Sequence, residues 1–69
     1  MAQTLKQFKR LLRQRVLVAG SIRALARELR VNHSHLAETL RLEDREPFPS
    51  IVSAMGYRKT AAFYEKVSP

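Results

Sequence analysis

Residues 32–41, NHSHLAETLR, place two histidines, a serine, a glutamate and an arginine within ten positions. Three kinds of chemistry use such a set: metal ligation, acid–base catalysis, and hydrogen bonding to a polar macromolecule. Metal ligation fails on spacing. His33 and His35 are two apart, so on a helix they point to different sides. Glu38 stands three residues from His35, but no third ligand follows at a fitting interval, and no metal site is expected. Catalysis would draw on Glu43, Asp44 and Glu46 in the run LEDREPFP. No nucleophile or phosphate-binding loop accompanies them, so they read as a polar turn. We expect no enzyme, no cofactor and no small-molecule ligand.

Hydrogen bonding survives. Asn32, His33, Ser34, Ala37, Glu38 and Arg41 fall on one side of a helix that starts at Asn32. Small and hydrogen-bonding groups on one face suit a helix entering a major groove N-terminus first. The partial positive charge of that N-terminus favours phosphates. His33 reads as a groove-facing donor and His35 as a ring packed against a neighbouring helix edge. Glu38 has two readings of equal weight. It accepts from a cytosine amino group, or it repels phosphate and so excludes wrong sites.

The elements that carry this face follow from periodicity and caps. In TLKQFKRLLRQRVLV, residues 4–18, Leu5, Phe8, Leu11, Leu12 and Val16 recur near helical spacing with bases between them. Thr4 is placed to cap this helix and Gly20 to end it. Ser21 then caps a second helix whose inner stripe is Ile22, Leu25, Ala26 and Leu29. Asn32 caps a third, which buries Leu36 and Leu40. Pro49 or Ser50 opens a short fourth helix, with Ile51, Val52 and Met55 inward and Gly56 after its end. Two helices crossing after a short turn need a small residue where their backbones meet, and Ala26 supplies it. The tail TAAFYEKV, 60–67, reads as a strand with Ala61, Phe63 and Val67 on one face, or as a short helix or arm. A lone strand must pair with something, in this chain or in a second copy.

Sixty-nine residues allow one domain, 1–69, with a small core. There is no cysteine, which removes disulfides, thiol nucleophiles and zinc-finger ligand sets. No apolar run approaches membrane-spanning length, and the opening MAQTLKQFKR is read as carrying no signal peptide. The net charge is +7, and it is one-sided. Lys6, Lys9, Arg10, Arg13, Arg15, Arg23 and Arg27 precede the first acid, Glu28, whereas bases and acids balance over residues 28–69. Such a field points to a polyanion, with nucleic acid first and an anionic membrane surface second.

The stretch IRALARELRVNHSHLAETLR, 22–41, resembles the helix-turn-helix core of phage Cro and lambda-repressor-type regulators. Ala26 stands at that family's small position, and Leu29, Val31 and Leu36 at its apolar ones. The following REPFPSIVSAMGYRK resembles a segment of small members, where a charged turn with prolines precedes a short helix. The likeness spans about residues 19–60. It implies a mainly α, four-to-five-helix lambda-repressor-like domain with a C-terminal strand or arm. It further implies a DNA-binding transcriptional regulator: a Cro-like repressor, or an operon autorepressor of phage or mobile-element origin, in the bacterial cytoplasm and at the nucleoid when bound.

Carried over residue by residue, the resemblance puts base contacts on His33, Ser34, Ala37, Glu38 and Arg41. It puts phosphate contacts on Ser21, Ile22, Arg23 and Asn32. Two positions depart from the family. Arg30 stands where glycine usually takes a positive φ, and Ile22 stands where glutamine usually braces the recognition helix. Reading a palindromic operator takes two copies about 34 Å apart. We therefore expect a homodimer joined through the segment 57–69, with Phe63 as the anchor and Ala61, Tyr64 and Val67 around it. The alternative joins the copies through Ile51 or Met55 of the fourth helix. Two other readings stand beside the repressor: an excisionase-type protein that bends DNA, and a module whose basic helix 4–18 lies on lipid.

Overall fold

The structure is a computed structural model describing residues 2–67. Met1 and the end of the expected dimer segment, Ser68 and Pro69, lie outside the described residues. The elements run β1 (Ala2–Gln3), α1 (Leu5–Ala19), α2 (Ile22–Leu29), α3 (His33–Arg41), α4 (Pro49–Ala54), β2 (Tyr57–Lys59) and β3 (Tyr64–Lys66).

Each long helix is bounded by local chemistry. Thr4 and Gln7 form a reciprocal cap on α1: Gln7 N–H donates to Thr4 Oγ1, and Thr4 N–H donates to Gln7 Oε1. Gly20 ends α1 at φ 101°, a left-handed conformation that costs glycine little. Ser21 Oγ accepts from Ala24 N–H at the start of α2. Pro49 occupies the first turn of α4, where its missing N–H is no loss.

The helices meet in a core of Leu12, Leu25, Ala26, Leu36 and Ile51, flanked by Val16, Ile22, Leu29, Val31 and Leu40. A second core joins α1 and α4 to the sheet. In it Phe8 stacks on Tyr64, with centroids 4.9 Å apart, and meets the edge of Tyr57 at 5.4 Å. Ile51 is fully buried, so it is not available to join two copies.

The tail corrects the expected strand. Strand β3 is short and lies between β1 and β2 in an antiparallel sheet, pairing Gln3 with Tyr64 and Lys59 with Tyr64 on its two sides. It thus finds its partners within the chain, one of them an N-terminal strand that the sequence reading did not include. Ala61 and Phe63 sit in the connecting turn, where Thr60 N–H donates to Phe63 C=O at 2.8 Å. Tyr64, expected at a dimer interface, is only 2% exposed. Its place in the pleat turns the ring inward onto Phe8. Phe63 and Val67 remain 45% and 49% exposed.

Candidate nucleic-acid interface

The face predicted on α3 is present and open. His33, Ser34, His35, Ala37, Glu38 and Arg41 line one shallow surface depression. Asn32 starts the helix: its Oδ1 accepts from Ser34 N–H at 2.8 Å and His35 N–H at 3.3 Å. That use of the oxygen leaves the Asn32 amide nitrogen as an outward donor. Ser21 behaves alike. Its oxygen caps α2, while its hydroxyl hydrogen is free to donate. The two expected phosphate-contacting caps therefore each hold a helix start and present a donor.

Between these helices Arg30 adopts φ 60° and ψ 43°. The left-handed turn is made without glycine, at a cost of about 1–2 kcal/mol for the residue that adopts it. Arg30 N–H donates to Arg27 C=O, and Val31 N–H to Ala26 C=O, which closes the carbonyl end of α2.

Other side chains sort by their contacts. The His35 ring stacks flat on Phe48, 4.2 Å between centroids and 7° between planes, so it packs at the edge of α4. Thr39 Oγ1 donates back to His35 C=O at 2.8 Å. Glu38 is half-buried and lies 3.8 Å from Arg45, which offsets part of its repulsion toward phosphate. Ile22 is a correction. Its side chain packs against the helical core, so only its backbone N–H, in the first turn of α2, is left to donate outward.

The charges divide. Among the described residues, five acids are paired: Glu28 with Arg15, Glu38 with Arg45, Glu43 with Arg13, Glu46 with Lys59, and Glu65 with Arg58. Arg23, Arg27, Arg30 and Arg41, all on or next to α2 and α3, are exposed and take no part in these pairs. Lys6 and Arg10 on α1 and Lys66 on β3 are likewise exposed and outside these pairs, so four of the seven such cations among the described residues lie on or next to α2 and α3.

One base of the N-terminal run does not contribute to that field. Lys9 is only 2% exposed. Its Nζ donates to Thr39 C=O at 2.6 Å and Leu42 C=O at 2.7 Å. Burial, then the nearby Arg13 charge, pushes its pKa below the ordinary 10.5, while Glu43 and Asp44 pull the other way. A signal for this was present: Leu5, Lys9, Leu12 and Val16 form a helical stripe in which position 9 is the inward slot.

Among the described residues, no three histidine, cysteine, aspartate or glutamate side chains come together to hold a metal ion, and no helix is long and apolar enough to cross a membrane. Comparison with protein-family models, with curated proteins and with solved structures finds no match to this chain.

Proposed function

We propose that this chain is a sequence-specific, double-stranded-DNA-binding transcriptional regulator with a lambda-repressor-like fold. It acts as a homodimer, as a Cro-like repressor or operon autorepressor of phage or mobile-element origin. The observation that carries the reading is the open polar face of α3, which includes Arg41, together with the exposed Arg23, Arg27 and Arg30 on or next to the preceding helix, none of them paired with an acid among the described residues. In this reading His33, Ser34, Ala37, Glu38 and Arg41 meet base edges. Ser21, Arg23, Asn32 and the backbone N–H of Ile22 meet phosphates.

Phe63, with Ala61 and Val67, anchors the dimer from the exposed hairpin turn and the residue after β3. Tyr64 supports that turn from inside. Phe63→Asp should then give a folded monomer in sedimentation, with operator affinity lost at low protein concentration. A persisting dimer would shift the interface elsewhere.

The test of function is selection of bound sequences from random duplex DNA. A palindrome with half-sites one turn apart supports the dimeric repressor. Direct repeats support the excisionase-type reading, which uses the same face but bends the duplex. If the dimer neutralises about six phosphates, log K against log salt should slope by roughly −5. The lipid-binding reading draws less support, because Phe8 and Leu12 commit the apolar side of α1 to the core. Tight binding to anionic vesicles with no duplex binding would restore it.

A further inference from the structure

The far end of α3 is closed in an unusual way. The last carbonyls of a helix lack partners within the helix, and a left-handed glycine commonly closes them. Here the residue after the helix is Leu42 at φ −100° and ψ 87°, so that closure is absent. The carbonyls are met instead by two bases from α1. Lys9 Nζ takes those of Thr39 and Leu42. Arg13 Nη2 lies 3.4 Å from Leu40 C=O while holding Glu43 Oε1 at 2.6 Å.

This arrangement has a cost. Lys9 is a buried cation, and its direct hydrogen-bond partners are carbonyl oxygens rather than a carboxylate. Those carbonyls lie at the negative end of the α3 dipole, which is what makes the site tolerable for a positive group. An apolar residue in the same inward slot would pack without that cost but would leave the Thr39 carbonyl unpaired, whereas that of Leu42 also accepts from Arg45 N–H at 3.2 Å.

The geometry also has a mechanical consequence. Leu36 sits in the core, and the turn at Arg30–Asn32 holds the helix start. Those contacts fix the N-terminal half of α3. Toward the far end Leu40 packs on the flank of the core and Thr39 is buried, and the Lys9–Arg13 contacts add a polar anchor on the last carbonyls. Over the nine residues of α3, about 13 Å of helix, a tilt of about 10° moves the far end by roughly 2 Å. A shift of that size breaks a hydrogen bond to a base edge.

We propose that Lys9, assisted by Arg13, is a positioning residue that sets the aim of the α3 face and thereby its sequence selectivity, without touching DNA. The proposal rests on the DNA-binding reading above for its consequence, but its mechanical half stands apart from it. The two bases belong to the charge-rich N-terminal run, yet they work inward.

Two measurements on Lys9→Met and Arg13→Gln test it, with Arg13→Gln chosen because Arg13 is largely exposed and its loss leaves the core intact. The first is amide exchange in the free protein. Both changes should speed exchange at Arg41 and Leu42 while leaving α2 as it was; unchanged rates at the end of α3 overturn the proposal. The second compares the duplex selected from the random pool with a scrambled duplex of equal length. Lys9→Met should lower the ratio of the two affinities by about tenfold, the loss expected of one base contact. Arg13→Gln should lower it less. The affinity for the scrambled duplex and its salt slope should stay as in the parent. If Lys9→Met instead weakens both duplexes alike and reduces the salt slope of the dimer by about two, one contact from each copy, Lys9 is a phosphate contact and the proposal fails. Should Lys9→Met not fold, Arg13→Gln decides both measurements. A parent protein that does not distinguish the duplexes removes the DNA-binding reading, and amide exchange alone then decides whether the two bases hold α3.

Discussion

Between Gly20 and Arg41, each helix start is set by a side chain acting no more than three residues away: Ser21 on Ala24, and Asn32 on Ser34 and His35. In the sheet, Ala2 pairs with Glu65 and Gln3 with Tyr64, across nearly the whole chain. The helix pair is local and carries the exposed polar face of α3. The sheet is non-local and carries almost none of it, yet it closes both ends of the chain onto α1. Local elements are specified by capping and turn chemistry. A sheet this small, with strands of two and three residues, forms only because Phe8, Val52 and Tyr64 make a core beneath it.

That difference can be broken at Phe8. Its ring is fully buried between α1 and the sheet, stacked on Tyr64. Phe8→Ala should cost about 3–5 kcal/mol, a large share of the roughly 3–10 kcal/mol available to a domain of this size. Thermal unfolding followed by circular dichroism should show helix and sheet lost together. A parent-like melting temperature would mean the sheet is a mere appendage. At the other region, Ala26→Leu should cost about 1–3 kcal/mol, because a larger group forces α2 and α3 apart. Melting at the parent temperature after that change would show that the two helices do not need a small residue there.

The same contrast explains what could be read from the sequence. Thr4, Gly20, Ser21, Asn32 and Pro49 mark their helix boundaries through nearest-neighbour chemistry, so all four helices and the exposed side of α3 were legible. Strand β1 was not. Ala2 and Gln3 have no strand pattern of their own, and their order comes from a partner some sixty positions away. Tyr64 was misplaced for the same reason: the pairing register decides which way a strand residue points, and one step exchanges Tyr64 with Phe63. Lys9 was counted with the surface charge because residue type outweighed stripe position. Ile22 was legible as an inward residue by periodicity, and its side-chain role toward phosphate came from the resemblance instead.

Arg30 tests the local half from inside. Its φ of 60° carries left-handed strain that glycine would not. Arg30→Gly relieves about 1–2 kcal/mol but adds about 0.4–1 kcal/mol of unfolded-chain entropy. A net gain of about 0–1.6 kcal/mol should remain, raising the melting temperature by up to several degrees. The change also removes an exposed guanidinium beside the α3 face. If that group meets a phosphate, the salt slope of the dimer should fall by about 1.8, one contact from each copy, while the protein becomes more stable. A lower melting temperature would show that the Arg30 side chain holds the turn together through its own contacts.

The smallest effect belongs to the sheet half and appears only at high pH. Burial raises the pKa of Tyr64 above its ordinary 10.0, with the Glu46 charge adding and Lys59 opposing. A folded pKa above the unfolded one means that the unfolded chain gives up the phenolic proton first. The contribution of Tyr64 to stability is therefore whole below pH 10.0. It declines as pH rises from there through the folded value. Lys9 acts with the opposite sign. Its folded pKa lies below 10.5, so the folded chain releases that proton first and stability rises with pH in the window beneath 10.5. Tyr64→Phe keeps the ring on Phe8 and removes only the titrating group. In urea unfolding, the midpoint of the parent should fall further between about pH 9 and about pH 11 than that of Tyr64→Phe. Equal declines would mean that Tyr64 ionises as easily in the folded chain as in the unfolded one, and that its burial against Phe8 does not hold the phenolic proton.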